Sequence, residues 1–218
     1  MNLGIDQHKK IWKNRTFLFS SFLGLILLAI SLIMNNMAGK YADAHASNAV
    51  TDLLLDNLPK LNVGIIFVQG FYVFLLFLFG CLFFYPTFIP FALNSVALFN
   101  GIRSFSIILT HIKPALNPAV FSANAIFQNI NFSADLFFSG HTGIPFLFAL
   151  IFWKIRFLRI FFLLTSLLFG ATVLLGRFHY SIDVFGAFFM TPTIFQIATK
   201  VFKKNYRFIA EHINNKTI

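Results

Sequence analysis

The sequence predicts an all-α polytopic membrane protein, a six-helix transmembrane bundle with both termini cytoplasmic. Three observations lead there. Hydrophobic residues make up 58% of the 218 and charged residues only 11%, whereas a soluble domain carries roughly 25% charged residues. That leaves too little polar side chain to coat a water-facing globule. Mean hydropathy is +0.78, and the apolar residues, 33 phenylalanines among them, gather into stretches long enough to cross a bilayer. The Lys and Arg residues fall between those stretches, in clusters that one side of a membrane would collect.

A spanning helix needs roughly 20 mostly apolar residues. Six stretches qualify: 17–35, 63–84, 88–111, 143–157, 158–176 and 181–201. The fourth is short, so Lys154 and Arg156 would have to snorkel from its end, and it forms a tight hairpin with the fifth. Lys9, Lys10, Lys13 and Arg15 precede the first span. Lys154, Arg156 and Arg159 separate the fourth from the fifth, and Lys200, Lys203, Lys204, Arg207 and Lys216 follow the last. Six spans put all three clusters on one side, which the positive-inside rule makes cytoplasmic. The chain then divides into a basic N-terminus (1–16), a six-span unit (17–201) and a basic C-terminal tail (202–218).

The first span could be a signal peptide, with its basic lead and Ala42, Ala44 and Ala46 after it. Its apolar core from Phe17 to Met34 is longer than the usual 7–15 residues or so, which favours a retained anchor. Thr51–Asn62 mixes leucines with Asp52, Asp56 and Lys60; it reads either as an amphipathic segment on the outer interface or as a plain connecting loop. The formal net charge of +10 would suggest nucleic acid in a soluble protein. Beside apolar spans it points to anionic head groups instead, so the membrane is the expected partner and nucleic acid is not. Cys81, the only cysteine, forms no internal disulfide.

In so apolar a chain the polar residues carry the information, and an ionisable residue at membrane depth is a functional hypothesis by default. Ser139-Gly140-His141-Thr142 opens the fourth span. Ser139 is a natural N-cap, the free N–H groups of a helix start favour a phosphate, and Gly140 lets that phosphate approach the backbone with His141 beside it. The same four residues would also serve an ordinary capped helix start. His179 and Asp183, at the outer start of the sixth span, are four apart and so share a helix face. A carboxylate on one imidazole nitrogen fixes the tautomer and leaves the other free to attack; alternatively the pair merely ties down a helix end. Arg103, within the third span, needs an anion or several carbonyls if buried and otherwise snorkels to the head groups. Arg177 is a second candidate clamp. All of these fall near the outer face. One nucleophile, one acid–base group, one orienting carboxylate and one cation make a phosphoryl-transfer set.

SADLFFSGHT (133–142) followed by HYSIDV (179–184) resembles the sphingomyelin synthase branch of the type 2 phosphatidic acid phosphatase superfamily. In that branch a Cys-Gly-Asp lies three residues before Ser-Gly-His-Thr. Asp135 and Ser139–Thr142 match, while Ser133 and Ala134 stand in for Cys and Gly. The branch's His-Tyr-Thr-x-Asp-Val matches at His179, Tyr180, Asp183 and Val184, with Ser181 for Thr and Phe188 for a later Tyr. Its Arg, six residues, Thr pattern fits Arg103 and Thr110; Pro90, Phe91 and Asn100 occupy the places of an upstream Arg pair and Tyr. The resemblance covers roughly residues 50 to 200. The superfamily's phosphatases carry a Pro where Phe138 stands and Ser-Arg where Thr172 and Val173 stand. The missing cationic cradle favours a phosphodiester over a phosphomonoester.

The resemblance implies a two-step mechanism without cofactor or metal. His179, oriented by Asp183, becomes a phosphohistidine. His141 serves as acid and then base, with Asp135 orienting or tuning it, and Arg103, with Arg177, stabilises the phosphoryl oxygens. It implies a lipid phosphotransferase that acts on a phospholipid and a lipid acceptor. The expected location is the plasma or bacterial inner membrane, with the site on its outer or periplasmic face. A lipid phosphatase or phospholipase C-like hydrolase would use the same residues with water as acceptor. An inactive scaffold or transporter would keep them as a structural clip, and His141, His179 and Asp183 could alternatively hold a metal. An intramembrane serine protease fits poorly, because Ser139 lacks a Gly-x-Ser-Gly context.

Overall fold

The structure, a computed structural model, describes residues 10–115 and 136–214. Asn14 opens α1 (Arg15–His45): its side-chain oxygen accepts from the backbone N–H of Thr16 and Phe17, at 2.9 and 3.2 Å, relieving two of the donors a helix start leaves unpaired. The 31-residue helix continues well past the predicted end at 35. Its buried face is a stripe of small residues, with Gly24, Ser31 and Ala38 at seven-residue spacing and Ser21 and Ala42 beside them. Small residues let helices approach closely where lipid supplies no hydrophobic drive. A Cβ on Gly24 would sit 2.9 Å from that of Leu93.

The partner along that stripe is α4 (Ile89–Ile108), reached through the short α2 (Leu53–Asn57), α3 (Ile66–Phe84) and a 3₁₀ turn at Pro86–Phe88. The first turn of α3, Ile66–Gly70, is a π-helix. Next in the described residues come α5 (Gly140–Ile151), α6 (Arg156–Leu175), α7 (Ser181–Val201) and α8 (Lys203–Asn214). The last falls in the predicted basic tail, and Tyr206 and Phe208 seat it on Phe91 and Phe17.

Among the described residues five helices are long and apolar enough to cross a membrane, α1, α3, α4, α6 and α7, not the six predicted. The fourth predicted span, 143–157, becomes α5, which ends at Ile151. Its 12 residues reach only ~18 Å, well short of the ~30 Å hydrocarbon core. The shortening has a local cause. Lys154 lies in the Phe152–Ile155 turn and Arg156 opens α6, so neither has to snorkel from inside a helix. In place of lipid, α5 is walled by protein. Leu147, Phe148 and Ala149 are buried in the core, and the Ser166 hydroxyl of α6 donates to the Thr142 carbonyl at 2.8 Å. A Cβ on Gly143 would lie 2.5 Å from the Phe99 ring of α4, so only glycine fits at that crossing.

Aromatic contacts gather the start of α1, the α3–α4 turn, the α5–α6 turn and α8 at one end of the bundle. Phe17 meets Phe208, Phe88 stacks on Phe152 at 4.5 Å, and Phe91 meets Tyr206 at 5.0 Å. Arg15, Lys154, Arg156 and Lys203 share that end. Residues 1–9 and 215–218, with Lys9 and Lys216, lie outside the described residues. At the opposite end the connections are hydrogen-bonded to one another: Ser47 N–H to His111 O (2.8 Å), Leu61 N–H to Leu175 O (2.9 Å) and Ser139 N–H to Asp183 O (3.1 Å).

Candidate active site

The polar residues singled out in the sequence converge at that hydrogen-bonded end. His179 and Asp183 are 6% and 2% exposed, and His179 Nδ1 lies 3.2 Å from Asp183 Oδ2. The predicted pair forms, but not by sharing a helix face. Helix α7 starts at Ser181 with Tyr180 as its N-cap residue, so His179 precedes the helix and Asp183 lies in its first turn. The carboxylate folds back and accepts from the Tyr180 backbone N–H at 2.9 Å as well as from His179. A carboxylate is favoured at a helix N-terminus, and two donors offset its burial. With Nδ1 committed to Asp183, Nε2 is the nitrogen left for chemistry.

Arg103 is 6% exposed, so its charge is not snorkelling. Its Nε donates to the Phe138 carbonyl at 2.7 Å and its Nη1 to Asn35 Oδ1 at 3.0 Å. Phe138, the position where the phosphatases carry Pro, thus holds the guanidinium through its backbone while its ring packs against Phe99. A Cβ on Gly140 would touch the guanidinium, 3.5 Å from Nε and 3.7 Å from Cζ. The bare glycine therefore keeps a path open between Arg103 and the start of α5. Ser139 caps that helix, with its Oγ 3.4 Å from the Thr142 N–H and 3.2 Å from the Thr142 hydroxyl.

His141 sits in an aromatic slot made by the π-helical turn of α3. It stacks on Phe67 with centroids 4.0 Å apart and packs 4.4 Å from Phe71, and it hydrogen-bonds to the Phe67 backbone. Phe67 also meets Phe178, the neighbour of His179, at 4.4 Å, and Gly140, the neighbour of His141, lies against Arg103, so the three groups gather at one end of the bundle. π-Helical turns recur at functional sites, yet nothing in the apolar stretch 63–84 distinguishes one.

Arg177, the second candidate clamp, is tied to a different element. Its guanidinium donates to the Leu55 carbonyl of α2 at 3.1 Å, and its buried Nε has no hydrogen-bond partner. Among the described residues it is the one non-glycine with positive φ, 56°, a conformation that costs an L-residue roughly 1–2 kcal/mol. Asp135, expected to orient His141, lies outside the described residues. Among those described, no group of three or more His, Cys, Asp or Glu is arranged to hold a metal ion.

Residues 133–200 match the family model described as PAP2 superfamily C-terminal. The likeness to the PAP2-like phosphatase superfamily thus lies in the C-terminal region. The matched PAP2-like segment spans His141, Arg177, His179 and Asp183, whereas Arg103 and Asn35 come from helices outside it. Neither a curated protein nor a solved structure matches the chain.

Two residues at the site were missed in the sequence. Asn35 closes the predicted first span, and an amide at membrane depth was itself a signal. In the sequence Asp52 is only one polar residue of an interfacial segment or loop. One of its oxygens caps α2 through Leu54 and Leu55 (2.9 and 3.1 Å), and the other accepts from the Ser181 N–H at 2.7 Å. It thereby clasps the start of α7, next to His179. Burial pushes the Asp52 carboxyl up, but the hydrogen bonds from Leu55, Ser181 and Leu54 outweigh it and hold the group below its ordinary value of 3.8.

Proposed function

We propose that the protein is a membrane lipid phosphotransferase of the sphingomyelin synthase type, moving a phospho-head-group from a phospholipid to a lipid alcohol. The observation that carries this reading is the buried His179–Asp183 pair at the same end as Arg103 and the Ser139–Gly140 helix start. His179 Nε2 attacks phosphorus, and the bond to the leaving lipid alkoxide breaks as His141 gives that oxygen a proton. The acceptor hydroxyl then returns a proton to His141 and attacks phosphorus, and the P–N bond breaks. Arg103 and the free N–H groups of α5 hold the phosphoryl oxygens through both steps, with Arg177 as a second cation and Asp135 as the partner of His141. Residues 17–201 form the catalytic unit between basic cytoplasmic segments 1–16 and 202–218. The site then faces the outer or periplasmic side of a plasma or bacterial inner membrane.

A hydrolase reading draws support from the match to a phosphatase superfamily. It uses the same residues, with water as the acceptor. Purified protein incubated with head-group-labelled phospholipid, with and without a lipid alcohol, separates the two. Labelled lipid product that forms only with the alcohol supports transfer. Free phosphorylated head group or inorganic phosphate, formed equally without it, overturns transfer in favour of hydrolysis.

A further inference from the structure

At the end of the bundle far from the candidate site, a cavity of about 820 Å³ opens between the first two turns of α1 and the α7–α8 corner. Its two walls differ in chemistry. Thr16, Phe19, Ser20 and Leu23 line it from one face of α1, and Val201 and Phe202 extend the apolar surface across the floor. Lys203, Lys204 and Arg207 project from α8 on the other side, with Asn205 among them. No Asp or Glu lines the cavity among the described residues.

The cleft is preformed. Phe208 meets Phe17 edge-on at 6.1 Å, Tyr206 packs 5.0 Å from Phe91, and Ile209 is 3% exposed. These contacts fix α8 across the base of the bundle while its three cations stay exposed. A soluble anion would leave the apolar floor wet. An acidic peptide or a nucleic acid would have to reach Phe19, which is 69% exposed on a helix apolar enough to span a membrane. A ligand that arrives from within the bilayer satisfies both walls at once.

We propose that this cleft binds an anionic phospholipid. Its phosphate lies against Lys203, Lys204 and Arg207, and its glycerol and ester oxygens meet the hydroxyls of Thr16 and Ser20 and the amide of Asn205. One acyl chain runs along Phe19, Leu23 and Val201. Three cations, with no acidic side chain among the described residues that line the cleft, select against a zwitterionic head group, whose ammonium they repel. The site is separate from the catalytic reading and does not depend on it.

Native mass spectrometry of the full chain, released from micelles doped with phosphatidylglycerol or phosphatidylcholine, tests the proposal. Phosphatidylglycerol is expected to stay bound in clear preference. Lys203→Gln, Lys204→Gln and Arg207→Gln together lower its retention roughly a hundredfold, at roughly fivefold per cation removed, and Lys204→Gln alone gives the single step. Leu23→Trp fills the apolar floor and lowers retention with every charge in place. Lys154→Gln with Arg156→Gln, at the same end but outside the cleft, leaves retention unchanged. Equal retention of the two lipids would overturn the proposal. So would a comparable loss in the Lys154/Arg156 pair, or displacement of the lipid by soluble glycerol phosphate at equal concentration.

Discussion

Both ends of the bundle are rich in cations, and the fold treats them in opposite ways. At the candidate site Arg103 is buried and held by the Phe138 carbonyl and Asn35, and His179 is buried against Asp183. At the other end Lys203, Lys204 and Arg207 stand exposed on α8, and Lys154 and Arg156 on a turn and a helix start. A buried cation must be paired to be tolerated, and the pairing fixes where its remaining donors point. An exposed cation supplies a field without a fixed geometry. The number of charges therefore says little about chemistry, whereas their ties say a good deal: the site suited to bond-making is the one where Arg103 and His179 are buried and each held by a named partner.

Substitutions can break or sharpen this contrast. The largest effect is expected from His179→Ala, which should lower transfer from labelled phospholipid by at least about 10⁴-fold while the protein still elutes as a folded species. A purely structural clip would instead keep activity and lose only thermal stability. Arg103→Lys follows, with a loss of roughly 10²–10³-fold, because an ammonium cannot reproduce the planar donor set. Lys154→Gln with Arg156→Gln, at the exposed end, should leave the same assay unchanged, and a matching loss there would erase the distinction.

Two glycines sharpen the contrast further. Gly143→Ala pushes a Cβ into the buried Phe99 ring and should destabilise the protein by about 1–3 kcal/mol, read as a fall in Tm. Gly140→Ala meets Arg103 only at ordinary contact distance. It should leave Tm nearly unchanged and lower activity roughly tenfold or more, since the methyl covers the path to the guanidinium.

The smallest effect concerns pH. The Asp52 carboxylate is held below its ordinary value, so its contribution is present at neutral pH and is lost as pH falls through 3.8 and below. Asp52→Asn, which removes the acceptor for the Ser181 N–H, should cost about 1 kcal/mol at pH 7, and the cost should shrink as pH falls below 3.8. The Tm curves of the two proteins should then converge on acidification.

The spans were legible because hydropathy is a property of single stretches. The short α5 was not, because a 12-residue apolar helix buried in protein and the core of a longer membrane span read alike; only packing distinguishes them. The His179–Asp183 pairing was visible in the spacing, but its geometry was not. The spacing suggested a shared helix face, and the chain instead starts its helix two residues after the histidine. Asn35 and Asp52 escaped notice because their partners, Arg103 and Ser181, are distant in sequence. The aromatic slot around His141 depends on a π-helical turn that thirty-three scattered phenylalanines do not announce.

A covalent intermediate tests the proposal most directly. Protein mixed with head-group-labelled phospholipid, without acceptor, would be quenched at high pH, digested and sequenced by mass spectrometry. The head-group phosphoryl should be found on His179, in acid-labile linkage, and should vanish in His179→Ala. Label on His141 or on no residue at all, or undiminished transfer by His179→Ala, would contradict the assignment of His179 as the nucleophile.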